Sequence, residues 1–180
     1  LDAESFVYSK FGKGESFDVG VKNAHIWSIP TLFVNMNGLI DSTTLTQILT
    51  LSQSTQSQMK RKTEIDEIEA MNSYFPYHSV TVYDSKDAWL SAILSGQLGI
   101  VTSRGFVFTI DVRSYPGRQP EEPDNEKVIR GSRDGFTENI LQNTALVRRR
   151  IRDVSLRFEL TQLSTRGKTD TVVAYIKGLA

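Results

Sequence analysis

Several residue types that would narrow the function are missing from this sequence of 180 residues. It contains no cysteine, which excludes a disulfide framework, a thiolate metal site and a cysteine nucleophile. Lys and Arg number 21, as do Asp and Glu, so the net charge is zero. A protein that coats nucleic acid or binds membranes through a basic surface is therefore not expected. No apolar run approaches the ~18 residues of a membrane-spanning helix.

Motifs for catalysis and for metal or cofactor binding are missing as well. The sequence has no phosphate loop, no dinucleotide-binding glycine motif and no nucleophile elbow. His25 and His78 have no histidine or carboxylate partner at ligand spacing, so an ordinary packed or exposed role is expected for each. Glu121 and Glu122 lie in a Pro-rich segment, where no dry pocket would tune their pKa values. We therefore expect no catalytic residue, no metal, no cofactor and no enzymatic activity.

Three of the five prolines lie between Tyr115 and Asp124. Proline fixes φ and favours extended conformations in the residue before it, so this segment predicts a semi-rigid linker. A long surface loop within one domain is the alternative. The expected organisation is an N-terminal α/β subdomain at 1–113, a Pro-rich linker at 114–126 and a second, incomplete α/β subdomain at 127–180.

The first part of the chain predicts an α/β fold, with a mixed β-sheet covered by helices in the order β-β-α-α-β-α-β-β. Phe17, Val19 and Val21 alternate with other residues, as in a strand with one buried face. The stretch Lys10–Gly14 is interpreted as a flexible approach to this strand. Apolar spacing and turn residues predict the other elements. They are strands at 31–36, 80–83, 98–102 and 106–112, and helices at 42–53, at 64–74 and after the capping pair Asp84-Ser85.

The second part predicts one long helix at 134–152, with Val147 and Ile151 on its buried side, and then strands at 156–160 and 171–176. These strands resemble the start of the chain when Phe17 is aligned with Phe158 and Gly38 with Gly178. A hairpin with one helix buries too little surface to be stable alone. We therefore expect the start of a second subdomain of similar design. The alternative is that any two hairpins look alike.

Eight arginines are the candidate partner-contact or hinge residues. The last four are interpreted either as cations favoured at a helix C-terminus, by ~0.3–1 kcal/mol, that also form salt bridges to the acidic linker, or as a partner surface. Nucleic acid is not expected as a partner, because no aromatic residues are interleaved with them. Exposed ion pairs contribute only ~0–1 kcal/mol each, so a hinge is expected at the linker. The eight are Arg113, Arg118, Arg130 and Arg133 around the linker and Arg148, Arg149, Arg150 and Arg152 in the second part.

Three long runs carry a specific resemblance. They contain Arg-Ser-Tyr-Pro-Gly-Arg within 111–124, Val-Ile-Arg-Gly-Ser-Arg-Asp-Gly within 126–140, and Asn-Thr-Ala-Leu-Val-Arg-Arg-Arg-Ile-Arg within 143–153. Together they resemble the A-subunit family of bacterial spore germinant receptors, the GerA family. The resemblance covers nearly the whole chain, and the segments 14–21 and 34–41 resemble a sporulation-protein branch of this family more closely.

The resemblance implies a soluble N-terminal region of two α/β subdomains, here incomplete, followed by a membrane-spanning half in the spore inner membrane. The fragment is expected to face the spore core. It implies a non-enzymatic assembly and gating module of a homo- or hetero-oligomeric complex linked to ion release, with other membrane subunits of a germination complex as partners. The alternative is a small-ligand-binding module, with a cleft between two lobes as in solute-binding proteins.

Overall fold

The computed structural model of the chain describes residues 3–26, 29–54, 67–75, 79–115 and 135–179. Five helices and seven strands follow one another within these ranges. They are α1 (Ala3–Phe11), β1 (Val19–Ile26), β2 (Ile29–Met36), α2 (Ser42–Ser54), α3 (Glu67–Tyr74), β3 (Val80–Tyr83), α4 (Lys86–Leu94), β4 (Leu98–Thr102), β5 (Val107–Ile110), α5 (Ile140–Arg150), β6 (Leu156–Leu163) and β7 (Thr169–Ile176).

The first five strands form one sheet in the order β1-β2-β4-β5-β3. β1 and β2 pair along their whole length, with Val19 opposite Met36. β2, β4 and β5 lie inside the sheet and are almost entirely buried, which accounts for their nearly continuous apolar sequences. The expected α/β class, a sheet covered by helices, is confirmed, but the described sheet is antiparallel and not mixed, since every pairing among the described strands is antiparallel.

Helices cover both faces of this sheet and divide the core into two clusters. On one face, α1 and α4 contribute Val7 and the fully buried Trp89, whose indole N–H donates to the carbonyl of Phe108 at 2.8 Å. On the other face, α2 and α3 contribute Ile48 and Met71. Apolar surface is thus removed from water on both sides of the sheet, which is the main stabilising contribution to such a layered fold.

Helix α1 is not among the elements that the sequence predicts. Only Val7 and Phe11 form its buried side, so its periodic signal is weak. Gly12 follows at φ +74°, and its N–H donates to the carbonyl of Tyr8 at 2.9 Å. The expectation of a flexible approach at Lys10–Gly14 is therefore wrong in part, because Gly12 ends a helix in the left-handed conformation typical of a C-cap.

Other helix ends agree with the sequence more closely. Asp41 accepts hydrogen bonds from two groups in the first turn of α2, at 3.0 and 2.6 Å. Ser85 accepts one from the N–H of Ala88 at 3.4 Å, so the predicted cap of α4 is confirmed. Of the predicted helix 64–74, the structure describes α3 from Glu67 to Tyr74, and 64–66 lie outside the described residues.

Helix α5 is shorter than the predicted helix 134–152. The side chain of Asn139 accepts hydrogen bonds from two backbone N–H groups of the first turn, which fixes the start of the helix. The predicted buried side is also wrong, since Ile151 is 43% exposed and Val147 is only half-buried. The side that is buried consists of Thr144, Ala145 and Arg148.

The last two strands form a separate antiparallel hairpin, with Leu156 opposite Ile176. Both hairpins, β1-β2 and β6-β7, are framed by the same backbone hydrogen bonds. The N–H of Asn37 donates to Asp18 in the first, and that of Lys177 to Ser155 in the second. At the strand starts, the N–H of Val19 donates to the carbonyl of Ser16, and the N–H of Leu156 donates in the same way to the carbonyl of Asp153. At the hairpin ends, the N–H of Leu39 donates to the carbonyl of Met36, and the N–H of Leu179 donates to the carbonyl of Ile176.

These bonds support the resemblance between the two hairpins and correct its alignment. Gly38 and Gly178 are equivalent, as aligned, with φ +84° and +91°. At the strand starts, however, the matched bonds place Val19 with Leu156, so Phe17 is not the counterpart of Phe158. The two phenylalanine rings instead contact each other edge to face, with centroids 6.4 Å apart. The register differs because the turn between β6 and β7 is longer than that between β1 and β2.

Candidate functional site: the Arg148 junction

Arg148 is the centre of the contact between α5 and the N-terminal sheet. Its side chain and that of Asp18 are each 1% exposed. Its Nε donates to Asp18 Oδ2 at 2.7 Å and its Nη2 to Oδ1 at 3.2 Å. This is the bidentate geometry typical of a guanidinium and a carboxylate. Arg148 and Asp18 therefore form a buried ion pair between residues 130 positions apart in the sequence. The expectation that Arg148 lies on a partner-facing surface is wrong for the described chain.

The same guanidinium also fixes the start of the second hairpin. Its Nη1 donates to the carbonyl of Asp153 at 2.8 Å and its Nη2 to that of Leu156 at 3.0 Å. Its central carbon lies 5.2 Å from the centre of the Phe158 ring. On the other side of the pair, the hydroxyl of Ser16 donates to Asp18 at 2.5 Å. Arg148 therefore joins three segments, the start of β1, helix α5 and the start of β6, in what we call the Arg148 junction.

A close backbone approach brings α5 to this position. A Cβ built on Gly38 would lie 3.0 Å from the Cβ of Ala145 and 3.1 Å from the carbonyl oxygen of Leu141. The positive φ of Gly38 also disfavours any residue with a side chain there. Leu39 is buried in the same apolar cluster as Ala145. The glycine and the small alanine thus allow contact between turn and helix.

A short strand-like contact extends the junction. The N–H of Phe17 donates to the carbonyl of Phe158 at 3.1 Å, and the N–H of Phe158 donates to the hydroxyl of Ser16 at 2.9 Å. The residues before β1 therefore satisfy backbone groups on the outer edge of β6, which would otherwise be unpaired there.

The loop after α1 adds a charged contact at the base of the second hairpin. Glu15 Oε2 accepts from Lys177 Nζ at 2.7 Å and from Arg157 Nε at 3.2 Å. These hydrogen bonds, from Lys177 and then Arg157, lower the pKa of the Glu15 carboxyl. Arg157 is buried and also donates to the carbonyl of Lys10 at the end of α1. The cleft of about 380 Å³ at this position is thus lined by these three paired charges and by Lys10.

The remaining arginines of the run on α5 take different positions. Arg149 is exposed and its guanidinium lies 4.5 Å from the centre of the Tyr115 ring, at a distance typical of a cation–π contact. Arg150 is exposed at the helix end. Arg152 is exposed and donates to the carbonyl of Arg149 at 3.2 Å. One cation of the run therefore points inward, whereas the other three remain on the surface.

Of the four arginines around the predicted linker, the structure describes one. Arg113 forms an ion pair with its neighbour Asp111, which lowers the pKa of the aspartate and raises that of the arginine. The pair is about a third exposed, so its contribution is that of a surface pair. Arg118, Arg130 and Arg133 lie outside the described residues. The partner or hinge role of the exposed arginines stays a prediction.

The start of the predicted linker is attached to the folded unit. The N–H of Ser114 donates to the carbonyl of Leu39 at 3.0 Å. The hydroxyl of Tyr115 donates to the backbone carbonyl of Ser95 at 2.9 Å. Because Arg149 also contacts the Tyr115 ring, residues 114 and 115 are fixed between α4 and α5. A change of angle within 114–126 would therefore have to arise after Tyr115, and 116–126 lie outside the described residues.

Sequence reasoning missed Asp18, Ser16 and Arg157. A usable signal was present: Leu141, Ala145 and Arg148 follow each other at spacings of four and three, and so share one side of the helix. The polar pattern Ser16-x-Asp18 directly before an alternating strand then offers an acidic partner. In the described part of the chain, no group of three acidic or histidine side chains is placed to hold a metal ion.

Comparison with known proteins places the chain in a family. A family model described as Bacillus/Clostridium GerA spore germination protein matches residues 6–180. The chain belongs to this GerA family. The resemblance that its arginine-rich runs carry is thereby confirmed. No helix that the structure describes in this GerA-family chain combines the length and the apolar character needed to cross a membrane.

Two relatives and one solved structure resemble this GerA-family chain. It is 42% identical over 179 residues to Stage V sporulation protein AF of Bacillus subtilis, covering 98% of the chain and 36% of that protein. It is 37% identical over 121 residues to the B. subtilis membrane protein YfkQ, covering 65% of the chain and 23% of that protein. The chain therefore spans about a third or less of these relatives.

The solved structure is a crystal structure of the N-terminal domain of the A subunit of the Bacillus megaterium spore germinant receptor GerK3. The match has a TM-score of 0.70 at 22% identity and covers 98% of the GerA-family chain and 64% of that domain. At this identity the match shows a shared fold. The α/β expectation is thus confirmed by an independent structure.

Proposed function

We propose that this chain is the soluble N-terminal part of a spore inner-membrane protein that acts in spore germination. In this proposal it is a non-enzymatic assembly and gating module of an oligomeric complex linked to ion release. Other membrane subunits of a germination complex are its partners, and the fragment faces the spore core. Family membership and the name of the relative YfkQ, a membrane protein, support the proposal.

The single observation that carries the proposal is the Arg148 junction. Burying an isolated charge costs several kcal/mol, and a buried ion pair often adds little net stability compared with apolar residues. What such a pair does provide is a defined geometry, because Asp18 and Arg148 satisfy each other in only one arrangement of α5 on the sheet. A module that passes a movement from one part of a complex to another needs this fixed geometry.

The junction also changes how the module is proposed to work. The sequence favours a hinge with weak surface pairs, yet the contacts around Arg148, Ala145 and Phe158 are buried. We therefore assign the transmission of movement to the joined unit of sheet, α5 and second hairpin. The exposed cations at the end of α5, Arg149 and Arg150, then supply the partner surface.

The experiment replaces Arg149 and Arg150 together by Glu in the full-length protein. We expect lower recovery of the complex from spores and slower ion release during germination, because the change reverses two surface charges. Arg166→Glu is the control for a single surface charge reversal, since Arg166 is also exposed but lies in the turn between β6 and β7. Tyr115→Ala separates the loss of the contact with Arg149 from the loss of charge. Normal recovery and normal ion release in the double variant would contradict the surface role.

Among the described residues, the cleft beside Glu15 does not favour the alternative, a small-ligand sensor. The polar cleft between α1 and the second hairpin is occupied by the paired charges of Glu15, Arg157 and Lys177. A ligand would have to displace these pairs before it could bind there.

A further inference from the structure

The two hairpins end in the same turn, and only the first turn is covered in the described chain. In the first Gly-Leu turn (Gly38, Leu39), the glycine contacts α5 at Ala145 and the leucine is 1% exposed. In the second Gly-Leu turn (Gly178, Leu179), no atom lies within 4 Å of a Cβ built on the glycine, and the leucine is 80% exposed. The backbone hydrogen bonds of the two turns are nevertheless the same.

The helix that covers the first turn comes from a later part of the chain. α5 leads directly into β6 and so belongs, by sequence, to the second hairpin. It nevertheless contacts the turn of the first hairpin, through Ala145 and the carbonyl of Leu141. The turn of the first hairpin is thus covered by the helix that leads into the next structural unit.

We propose that the second Gly-Leu turn is a docking site for a helix that follows residue 180 in the full-length protein. This inference rests on the proposed function, in which the chain is part of a longer membrane protein. The relatives leave room for this occupant, because the chain covers 64% of a structure that is itself the N-terminal domain of a longer A subunit, and 36% of the Stage V sporulation protein AF. The docked helix would connect the second hairpin to the next unit, as α5 connects the first.

The structure also indicates which residues the docking helix carries. A small residue is required opposite Gly178, as Ala145 is opposite Gly38, because the two backbones must approach closely. The position equivalent to Asp18 is Ser155 in the matched hydrogen bonds, which bears no charge. The incoming helix therefore has an apolar face without a buried arginine, since no carboxylate at that position would compensate the charge.

The test measures the accessibility of position 179 in the full-length protein. Leu179→Cys introduces a single thiol into a region that has no cysteine of its own. The rate of maleimide labelling is read at that position by peptide mass spectrometry in membranes. Leu163→Cys is the exposed control, at 56% in the described chain, and Leu39→Cys is the buried one. We expect position 179 to label about tenfold more slowly than position 163, because a covered thiol reacts only after local opening.

A second substitution tests whether a helix on the glycine causes the protection. Gly178→Asn, added to Leu179→Cys, should restore fast labelling. Asn tolerates the left-handed backbone conformation, but its side chain fills the space in which the helix would approach Gly178. Gly105→Asn is the matched control, since Gly105 has φ +90° and an equally open Cβ position in the turn between β4 and β5. It should leave the protection unchanged.

Three results would overturn the inference. Labelling at position 179 as fast as at position 163 would show that the turn is open. Protection that Gly178→Asn does not relieve would show that no helix approaches the glycine. Protection that disappears when solubilised protein is diluted would assign the cover to a second copy or another subunit. Because these readouts do not involve germination, they are independent of the ion-release assay that tests the proposed function.

Discussion

Replacement of Arg148 by Met removes one charge of the buried pair and retains much of the side-chain volume. It leaves Asp18 buried without its cation, and the carbonyls of Asp153 and Leu156 lose their donor. Breaking a buried ion pair from one side typically costs ~3–5 kcal/mol. A domain of this size is stable by ~5–15 kcal/mol, so the variant should lose a large fraction of its free energy of unfolding.

The assay is urea unfolding of the 180-residue chain, with the free energy of unfolding extrapolated to water. Three variants complete a cycle: Arg148→Met, Asp18→Leu, and both together. The double variant should be less destabilised than the sum of the single ones by ~2 kcal/mol or more, since it removes both charges from the interior. Arg166→Met is the surface control and should change stability by less than about 0.5 kcal/mol.

The salt dependence provides an independent check. Because both side chains of the pair are 1% exposed, 1 M salt should leave the effect of Arg148→Met nearly unchanged. A loss below about 1 kcal/mol for Arg148→Met, or one that disappears in salt, would refute the buried junction, because those are the properties of a surface pair.

Three further predictions concern other contacts. Gly38→Ala should destabilise by ~1–3 kcal/mol more than Gly105→Ala in the same unfolding assay, because both substitutions strain a positive φ but only the first meets a helix; equal losses would contradict the close approach. The Glu15 carboxyl has a folded-state pKa below its ordinary value of 4.5, so the stability it contributes is present above that value and lost as the pH falls through the lower one. Glu15→Gln should therefore flatten the stability–pH curve below pH 4.5, and an unchanged curve would argue against its pairing. Trp89→Phe should cost ~2 kcal/mol or more, measured by thermal unfolding, because the carbonyl of Phe108 loses its buried donor; a neutral result would place that carbonyl in contact with water.

Most of the regular elements could be predicted from local signals. The caps Asp41 and Ser85 and the apolar strands around Val34 and Ile100 are recognisable because short-range sequence and burial agree there. Helix α1 escaped prediction because it is short and has a buried side of only two residues, and because Gly12 also suits a flexible loop. Gly12 can be recognised as the C-cap of α1 only once the preceding residues are known to be helical.

The junction shows the limit of sequence patterns more clearly. A run of arginines at a helix end predicts exposed cations, and Arg149 fits that expectation. Arg148 does not, because Asp18, distant in sequence, lies beside α5 just before β1 and compensates the buried charge. Periodicity identifies which side of a helix is distinct, but whether a cation on that side is buried depends on the partner that the fold places there.

The sequence by itself determined the family and the α/β class, because both follow from runs of residues that are adjacent in the chain. It also indicated the repeated Gly-Leu turn, since the positive φ that glycine permits is a local property. The tertiary structure decided the register of the two hairpins, the inward position of Arg148, and the contrast between a covered turn at Gly38 and an open one at Gly178. The register follows from the length of the turn within each hairpin. The positions of Arg148 and Gly38 depend instead on contacts between segments far apart in the chain, and the free energy of such contacts is set by packing and by charge compensation in three dimensions.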